Sequence, residues 1–309
     1  MSHPLLHYRR VCRSISDGVL WGCALEATSP KLGNVHPSAP FSDLRVDHFV
    51  HAAQIVAEVV RDGLAAALPA GRIILQATAA TRTAIQTNAN LGIVLLIVPL
   101  AQAIHQAGFQ KTNPAALRKV LGEVLRKLTG DDGADIFSAI RLAAPGGLGE
   151  APELDVRTTP AQEPIDILSA MTLAAPRDLI ARQYAHGFED LFETVLPVLW
   201  DQIDRAQDLL WGIREAQLRL LAHWPDSLIA RKLGIATALL VQSQVQQTLA
   251  STLSERFERE QQLDQLLRDS SNRLNPGTTA DLIAAGLFVL LSTTDFPTLH
   301  TRSSNRDAL

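Results

Sequence analysis

The sequence predicts an all-α protein: a single compact multi-helix domain, residues 1–309, arranged around one buried helix. Three observations carry that expectation. Hydrophobic residues make up 47% of the chain and aromatics only 5%, so the core must be built from Ala, Leu, Ile and Val, a composition suited to packed helices rather than sheets. No segment alternates convincingly as a strand, and no repeat of fixed period is present. The stretch Gln86 to Gln102, QTNANLGIVLLIVPLAQ, opens with hydroxyl and amide side chains and then shows no polar face, as a helix buried on all sides does. Its eleven apolar or small residues from Leu91 to Ala101 are too few to cross a bilayer, which takes about 20. Asn88 or Asn90 can cap this helix. Such a polar N-terminus, opening into a cavity, offers N–H groups and partial positive charge to an anion.

The other elements follow from periodicity and its punctuation. Apolar residues at Val11, Ile15, Val19, Leu20 and Ala24 predict one helix over Tyr8–Ala27. Ser29-Pro30 stops it, and Pro30–Pro40, with three prolines and one glycine, is a loop. A long helix resumes over Ser42–Leu68, with Ser42 and Asp43 available as caps, until Pro69-Ala70-Gly71 breaks it. Arg72–Arg82 is a shorter helix ahead of the central one. Asn113 caps the next, which runs through Leu128 with Pro114 at its first position, and Asp131–Leu142 follows. The irregular stretch 143–164 is long for a loop inside a domain, and such loops are often functional. Helices of the same kind continue beyond it, so one domain is preferred over two. They cover Ile165–Ala174, Arg177–Phe188, Leu191–Arg205, Ala206–His223, Ser227–Thr252, Glu255–Asn272 and Thr278–Thr293. Residues 297–309 form a polar tail expected to fray.

A net charge of −4 and a pI near 6.1 give no general attraction to nucleic acid or to membranes. The N-terminus MSHPLLHYRR lacks the apolar segment of a secretory signal. Cys12 and Cys23 are eleven residues apart and, on one helix, would stand roughly 16 Å apart along its axis. That exceeds disulfide reach, so two reduced thiols in a cytoplasmic protein are expected. The patterns G-x-x-x-x-G-K-[ST], G-x-S-x-G and H-E-x-x-H are absent, and no G-x-G-x-x-G follows a strand. P-loop and Rossmann nucleotide binding are thereby excluded, and hydrolase and zinc-peptidase readings are weakened. His48 and His51 lie one turn apart without an evident third ligand, and an exposed helix face explains them equally well.

Four clusters remain that can carry chemistry. Glu26…Pro30-Lys31-Leu32-Gly33-Asn34, with Asp43 and Asp47, can bring carboxylates and a lysine together, enough for Mg²⁺ and a polyphosphate. The alternative is a helix carboxylate interacting with the dipole. Arg177-Asp178 with Arg182 is either an i,i+4 ion pair, worth about 0.3–0.5 kcal/mol, or a guanidinium fork for phosphate. Asp226 with Arg231 and Lys232 is open to the same two readings. The tetrapeptide Leu-Ile-Ala-Arg occurs in both places, at Leu179–Arg182 and Leu228–Arg231. Finally, Asn275-Pro276-Gly277 leads into an apolar helix whose first turn contains Asp281. There Thr278 or Thr279 caps the helix, or the carboxylate holds a metal or a ribose hydroxyl.

In their order, Glu26…Pro30-Lys31-x-Gly33, Asp43, Asn88-x-x-x-Gly92, Asp226…Arg231 and Asn275-Pro276-Gly277…Ala280-Asp281-Leu282, these clusters resemble the triphosphoribosyl-dephospho-CoA synthase family (ATP:dephospho-CoA triphosphoribosyltransferases) from about Glu26 to Leu290. The stretches TNANLGIV, AIRLAAPGGLG and RDLIARQY look like a divergent branch of that family, found in archaea and in bacteria using methanopterin-type one-carbon cofactors. The resemblance implies an all-helical enzyme that takes ATP, releases adenine and joins the ribose C1 to the 2′-hydroxyl of 3′-dephospho-CoA, leaving the triphosphate on the new ribose. It implies catalytic or Mg²⁺-holding roles for Glu26, Asp43 and Asp281. Ligand-binding roles fall to Lys31, Gly33, Asn88, Asn90, Gly92, Arg177, Asp178, Arg182, Asp226, Arg231, Lys232, Asn275 and Gly277. The implied partners are the small molecules ATP and dephospho-CoA, with no nucleic acid and no membrane, and a homodimer is compatible with them. The chain departs from the family pattern where Gly-Ala-His becomes Ala39-Pro40-Phe41, where Asn-Thr-His-Lys-Gly becomes Asn88-Ala89-Asn90-Leu91-Gly92, and where Gly-Gly-Ser becomes Gly277-Thr278-Thr279. These departures bear on the acceptor. Two rivals therefore stand beside the first reading: transfer to a methanopterin-type pterin intermediate, and a helical protein that binds a nucleotide without catalysis.

Overall fold

Ser14 accepts the Asp17 N–H at 3.1 Å, and this cap starts a new helix where periodicity alone runs straight through. The computed structural model, which describes residues 2–42, 44–86, 90–144, 164–268 and 272–294, therefore has α1 (Leu5–Val11) and α2 (Ile15–Thr28) in place of one helix over Tyr8–Ala27. Next, α3 (Val46–Ala65) starts later than Ser42, and α4 (Ala70–Ile85) stops at Gln86 in a left-handed conformation. The central helix is α5 (Leu91–Ala107). In α6 (Pro114–Arg126) the expected cap is present: Asn113 accepts the Ala116 N–H at 2.9 Å, ahead of Pro114. The capping box of Thr129 and Asp132 opens α7 (Gly130–Ala143). The 143–164 loop and the 297–309 tail fall almost entirely outside the described residues.

Beyond the loop come α8 (Ile167–Ala174) and α9 (Leu179–Ala185). A π turn, Leu191–Val195, then runs into α10 (Leu196–Ala206), next to Pro197, which has no N–H for an α-helical bond. After α11 (Leu209–His223), the helix predicted over Ser227–Thr252 is broken by Gly234 at φ 90° into α12 (Ser227–Leu233) and α13 (Ile235–Ala250). The order ends with α14 (Leu253–Leu267) and α15 (Gly277–Ser292). Among the described residues the only strand-like pairing is an isolated bridge between His36 and Ala39. None of the described helices is long and apolar enough to cross a membrane.

Buried along most of its length, α5 behaves as expected. It shares the centre with α15, in which every residue except Gly277 and Asp281 is buried. Around this pair, α15 packs on α2, α5, α10 and α11. A Cβ at Gly22 would lie 2.9 Å from the Phe288 nitrogen, so α2 and α15 meet backbone to backbone. One face of α11 joins this core through Ile213 and Leu220. Its other face, with Leu218 and Leu221, closes a second cluster with Val241, Val245, Leu263 and Leu267. Cys12 and Cys23 are both free and buried.

Pro99 lies inside α5 and cannot donate to the carbonyl one turn earlier, that of Leu95. Tyr184 of α9 supplies the missing donor: its hydroxyl reaches that oxygen at 2.6 Å. Tyr184→Phe should lower stability by about 1–3 kcal/mol, because a buried carbonyl loses its partner. Urea unfolding measures this, and an unchanged midpoint would remove the bond from the account.

Candidate active site

Gly92, in the first turn of α5, has no side chain because a carboxylate occupies the space. A Cβ there would lie 2.1 Å from Asp281 Oδ2. Asp281 stands on α15, at the start of its second turn rather than in the first, since that helix begins at Gly277. The N-terminal ends of the two central helices thus meet at one carboxyl group. Asp281 is itself partly exposed, yet enclosure of its carboxylate holds its pKa well above the ordinary 3.8. Glu26 and Asp226 push the same way, Arg231 opposes them, and Asp178 adds a smaller push.

Glu26 ends in the last turn of α2 and Lys31 follows in the loop. Their side chains are 6% and 0% exposed and pair at 2.8 Å, and the ammonium also donates to the Glu26 carbonyl. Gln217 of α11 clamps the loop, donating to Leu32 O and accepting the Leu32 N–H at 2.8 and 2.9 Å. Gly33, at φ 70°, donates its N–H to Asp264 at 2.7 Å. Asn34 donates to Asn275 at 2.5 Å, so the first cluster and the last are joined directly. Asp47 takes no part: it pairs with Arg45 at 2.5 Å on the exposed start of α3.

The two Leu-Ile-Ala-Arg copies lead two short helices with the same cap. Asp178 accepts the Ile180 and Ala181 N–H groups of α9, and Asp226 those of Leu228 and Ile229 in α12. Neither arginine pairs with the aspartate of its own copy. Arg231 binds Asp178 at 2.5 Å, and Arg182 binds Asp190 at 2.7 Å while lying 5.1 Å from the Trp224 ring centre. The i,i+4 pair expected of Asp178 and Arg182 does not form, because Asp178 is committed to the cap and to Arg231. Asp226 also accepts the Thr279 N–H and hydroxyl, both at 2.8 Å. Thr279 therefore does not cap α15; Asp226 ties α12 to it. Burial raises the Asp226 pKa against these hydrogen bonds. Ser227 bridges Leu179 of α9 and Thr278 of α15 at 3.2 and 3.1 Å, and Gly277 faces the Leu228 side chain. Arg231 Nε is buried without an acceptor among the described residues. Arg177 and Lys232 lie exposed at the outer ends of this junction.

Glu26, Lys31, Gly33, Gly92, Asp178, Asp226, Arg231, Asn275, Gly277 and Asp281 are thus drawn into one connected region, with Asn90 on its α5 side. Arg182 turns instead to Asp190. Asp43 and Asn88 lie outside the described residues. Among the described residues no three His, Cys, Asp or Glu side chains group to hold a metal. Gln217, a polar residue inside an apolar helical stretch, and Ser227, at the start of α12, belong to the region without being singled out in the sequence, whereas Thr279, expected as a cap, joins it through Asp226. Beside Glu26 a narrow cleft opens between α2, α3 and the start of α5, lined in part by Phe49 and Asn90.

A family model described as ATP:dephospho-CoA triphosphoribosyl transferase (CitG) matches residues 12–297. Among solved structures, an inferred triphosphoribosyl-dephospho-CoA synthase from Archaeoglobus fulgidus superposes with a TM-score of 0.59 at 23% identity, over 80% of this chain and 98% of that one. At that identity the likeness speaks for the fold. No curated protein matches the chain.

Proposed function

The chain belongs to the ATP:dephospho-CoA triphosphoribosyl transferase family, and from that membership we propose that Asp281 is the base of its reaction. The protein is a transferase that moves the triphosphoribosyl group of ATP to the 2′-hydroxyl of 3′-dephospho-CoA and releases adenine. A pterin acceptor and a purely binding role are not favoured by the match.

In this reaction the C1′–N9 bond of ATP breaks with its electron pair going to adenine, which takes up one proton. The acceptor oxygen bonds to C1′ and its proton leaves. The observation that supports Asp281 as receiver of that proton is its carboxylate, set against Gly92 at the start of α5 with its pKa raised. A carboxylate so raised is a stronger base than an ordinary one, as general-base catalysis of a hydroxyl requires. Arg231, whose Nε has no acceptor among the described residues, and the exposed Arg177 and Lys232 are assigned to the triphosphate, where a planar guanidinium can bind two oxygens. Asp178 and Asp226 hold the helix ends that carry these groups. Because the assigned groups run from Glu26 to Asp281, the matched span works as one catalytic unit. Two free buried thiols suit a reducing cytoplasm.

Mg²⁺ is assigned to ATP rather than to a resident site. Glu26 is committed to Lys31, and a magnesium ion held mainly by phosphates needs only one or two protein carboxylates. When bound it would offset triphosphate charge. EDTA should therefore stop turnover although the purified protein carries no stoichiometric magnesium; turnover undiminished by EDTA would refute the assignment. The function itself is tested by mass spectrometry of protein incubated with ATP, Mg²⁺ and dephospho-CoA. Adenine and a triphosphoribosyl adduct should appear in equal amounts. Adenine without the adduct would mean another acceptor, water included, and no adenine would sink the assignment.

A further inference from the structure

Hydrophobic side chains left in the open are not spread evenly over this surface. Of the eleven large ones exposed among the described residues, six stand on α13 and α14, so the hairpin that closes the second core cluster is also the most apolar part of the outside. Ile235, Leu239 and Leu240 at the start of α13, and Leu253 and Phe257 at the start of α14, are 49% to 90% exposed. A surface helix normally turns charged residues outward. No residue of α13 is charged. Its inner face is filled by Ala238, Val241, Val245 and Thr248, and its apolar outer face is left to solvent. A whole large side chain covers about 150–250 Å², so these five present on the order of 600 Å² of apolar surface. That reaches the upper end of the largest patch on a typical monomer, and it is most of the roughly 800 Å² that each partner gives to a standard interface.

Whatever covers α13 must be as free of charge as α13 is, because an ion set against it would lose its water without gaining a counter-ion. The helix itself meets that condition. Its outer face also repeats: Ala236, Ser243 and Ala250 fall one every seven residues, each of the first two followed three residues on by Leu239 and Gln246. This is the spacing with which one helix lies along another. The exposed start of α14 carries both signs, Glu255 and Glu258 beside Arg259, so at the rim one copy can pair with its like instead of repelling it. We propose that this face is covered by a second copy of the chain, with the two α13 helices antiparallel about a two-fold axis near Ser243. Closed two-fold pairs of this kind are the commonest assembly. Ile235 and Ser251 stand eight residues either side of Ser243, so the axis brings the apolar start of each α13 to the other copy's α13–α14 turn. Ile235, Leu239 and Leu240 then meet the second copy's Leu253 and Phe257, once on each side of the axis. The pairing also bears on the site. Asp264 of α14 accepts the Gly33 N–H and Arg268 donates to Asn34 O at 2.6 Å, so a copy seated on the hairpin braces the loop that carries Lys31.

Sedimentation of the full chain at about 1–100 µM should give twice its 33.5 kDa, and its unfolding temperature should rise with concentration. Leu240→Glu and Phe257→Glu should each raise the dimer Kd more than about tenfold. Both side chains are exposed, so each variant should unfold where dissociated wild type does. Ser243→Cys supplies the second measurement. At the axis two such thiols come within disulfide reach, so mild oxidation should link two chains, while the native Cys12 and Cys23 are buried and take no part. A single chain at every concentration would overturn the proposal and leave the face to a different partner. A pair that both glutamate variants leave intact would overturn it as well, by placing the contact elsewhere. Ser243→Cys that stays unlinked in a protein shown to be paired would overturn the antiparallel arrangement.

Discussion

Asp281→Asn should abolish transfer and at the same time make the protein more stable. The first half follows from its assigned role: losing a positioned base slows such a reaction by about 10²–10⁴-fold, and Asn keeps the shape that Gly92 accommodates. The second half follows from its surroundings. Enclosure, then Glu26 and Asp226, make the ionised carboxylate unfavourable in the folded protein and raise its pKa above the ordinary 3.8. A group raised in this way contributes its full stability below the unfolded value and loses it as the pH climbs towards the folded one. At neutral pH wild type therefore bears a penalty that Asn does not. Unfolding midpoints of the two proteins should differ most at and above neutrality, with the variant higher, and converge as the pH falls towards 4. The wild-type rate should fall on the acid side with a midpoint above the usual carboxylate range. Rate retained within tenfold would remove Asp281 from the chemistry; equal midpoints at neutral pH would show that its carboxylate is not strained. Residues that lower stability where activity needs them are a recurrent cost of active sites.

Helix positions were legible where a local mark and the hydrophobic pattern agree. Asn113-Pro114 and the buried run from Leu91 to Ala101 both lie where the sequence places them. Ser14-x-x-Asp17 and Gly234 also carried local signals, and stronger hydrophobic periodicity around them hid both breaks. The order of the site clusters was legible too. Their pairings were not, because a pairing depends on which helix ends meet. Asp178 and Arg182 are one turn apart in sequence, yet Asp178 binds Arg231 from the second copy of the same tetrapeptide. That choice follows from α9 and α12 being joined at their N-terminal ends through Ser227. The role of Asp226 was hidden for the same reason, since the groups it accepts from on α15 lie 53 residues away.

Lys31 gives the sharpest contrast between a residue type and its setting. A lysine in a Pro-Lys-x-Gly loop reads as a phosphate ligand, but this ammonium is fully buried on Glu26 and on its carbonyl oxygen. Lys31→Met should therefore act on stability first. It leaves the Glu26 charge enclosed without its partner and still facing Asp281, and breaking a buried pair on one side costs about 3–5 kcal/mol. The double variant Lys31→Met, Glu26→Gln removes both charges and should recover much of that loss, because replacing a whole buried pair is far less damaging than halving it. A double-mutant cycle measured by urea unfolding gives the coupling directly. A phosphate ligand predicts the opposite pattern: stability intact, KM for ATP raised, and no recovery on changing Glu26. If Lys31→Met unfolds at the wild-type midpoint and loses only ATP affinity, the pair is not structural and the ammonium must leave Glu26 when the triphosphate arrives. The same cycle bears on Asp281, since Glu26 is the charge that acts most strongly against its ionisation. Glu26→Gln in the double variant should move the acid fall of the rate to lower pH, a shift that a purely structural pair would not produce.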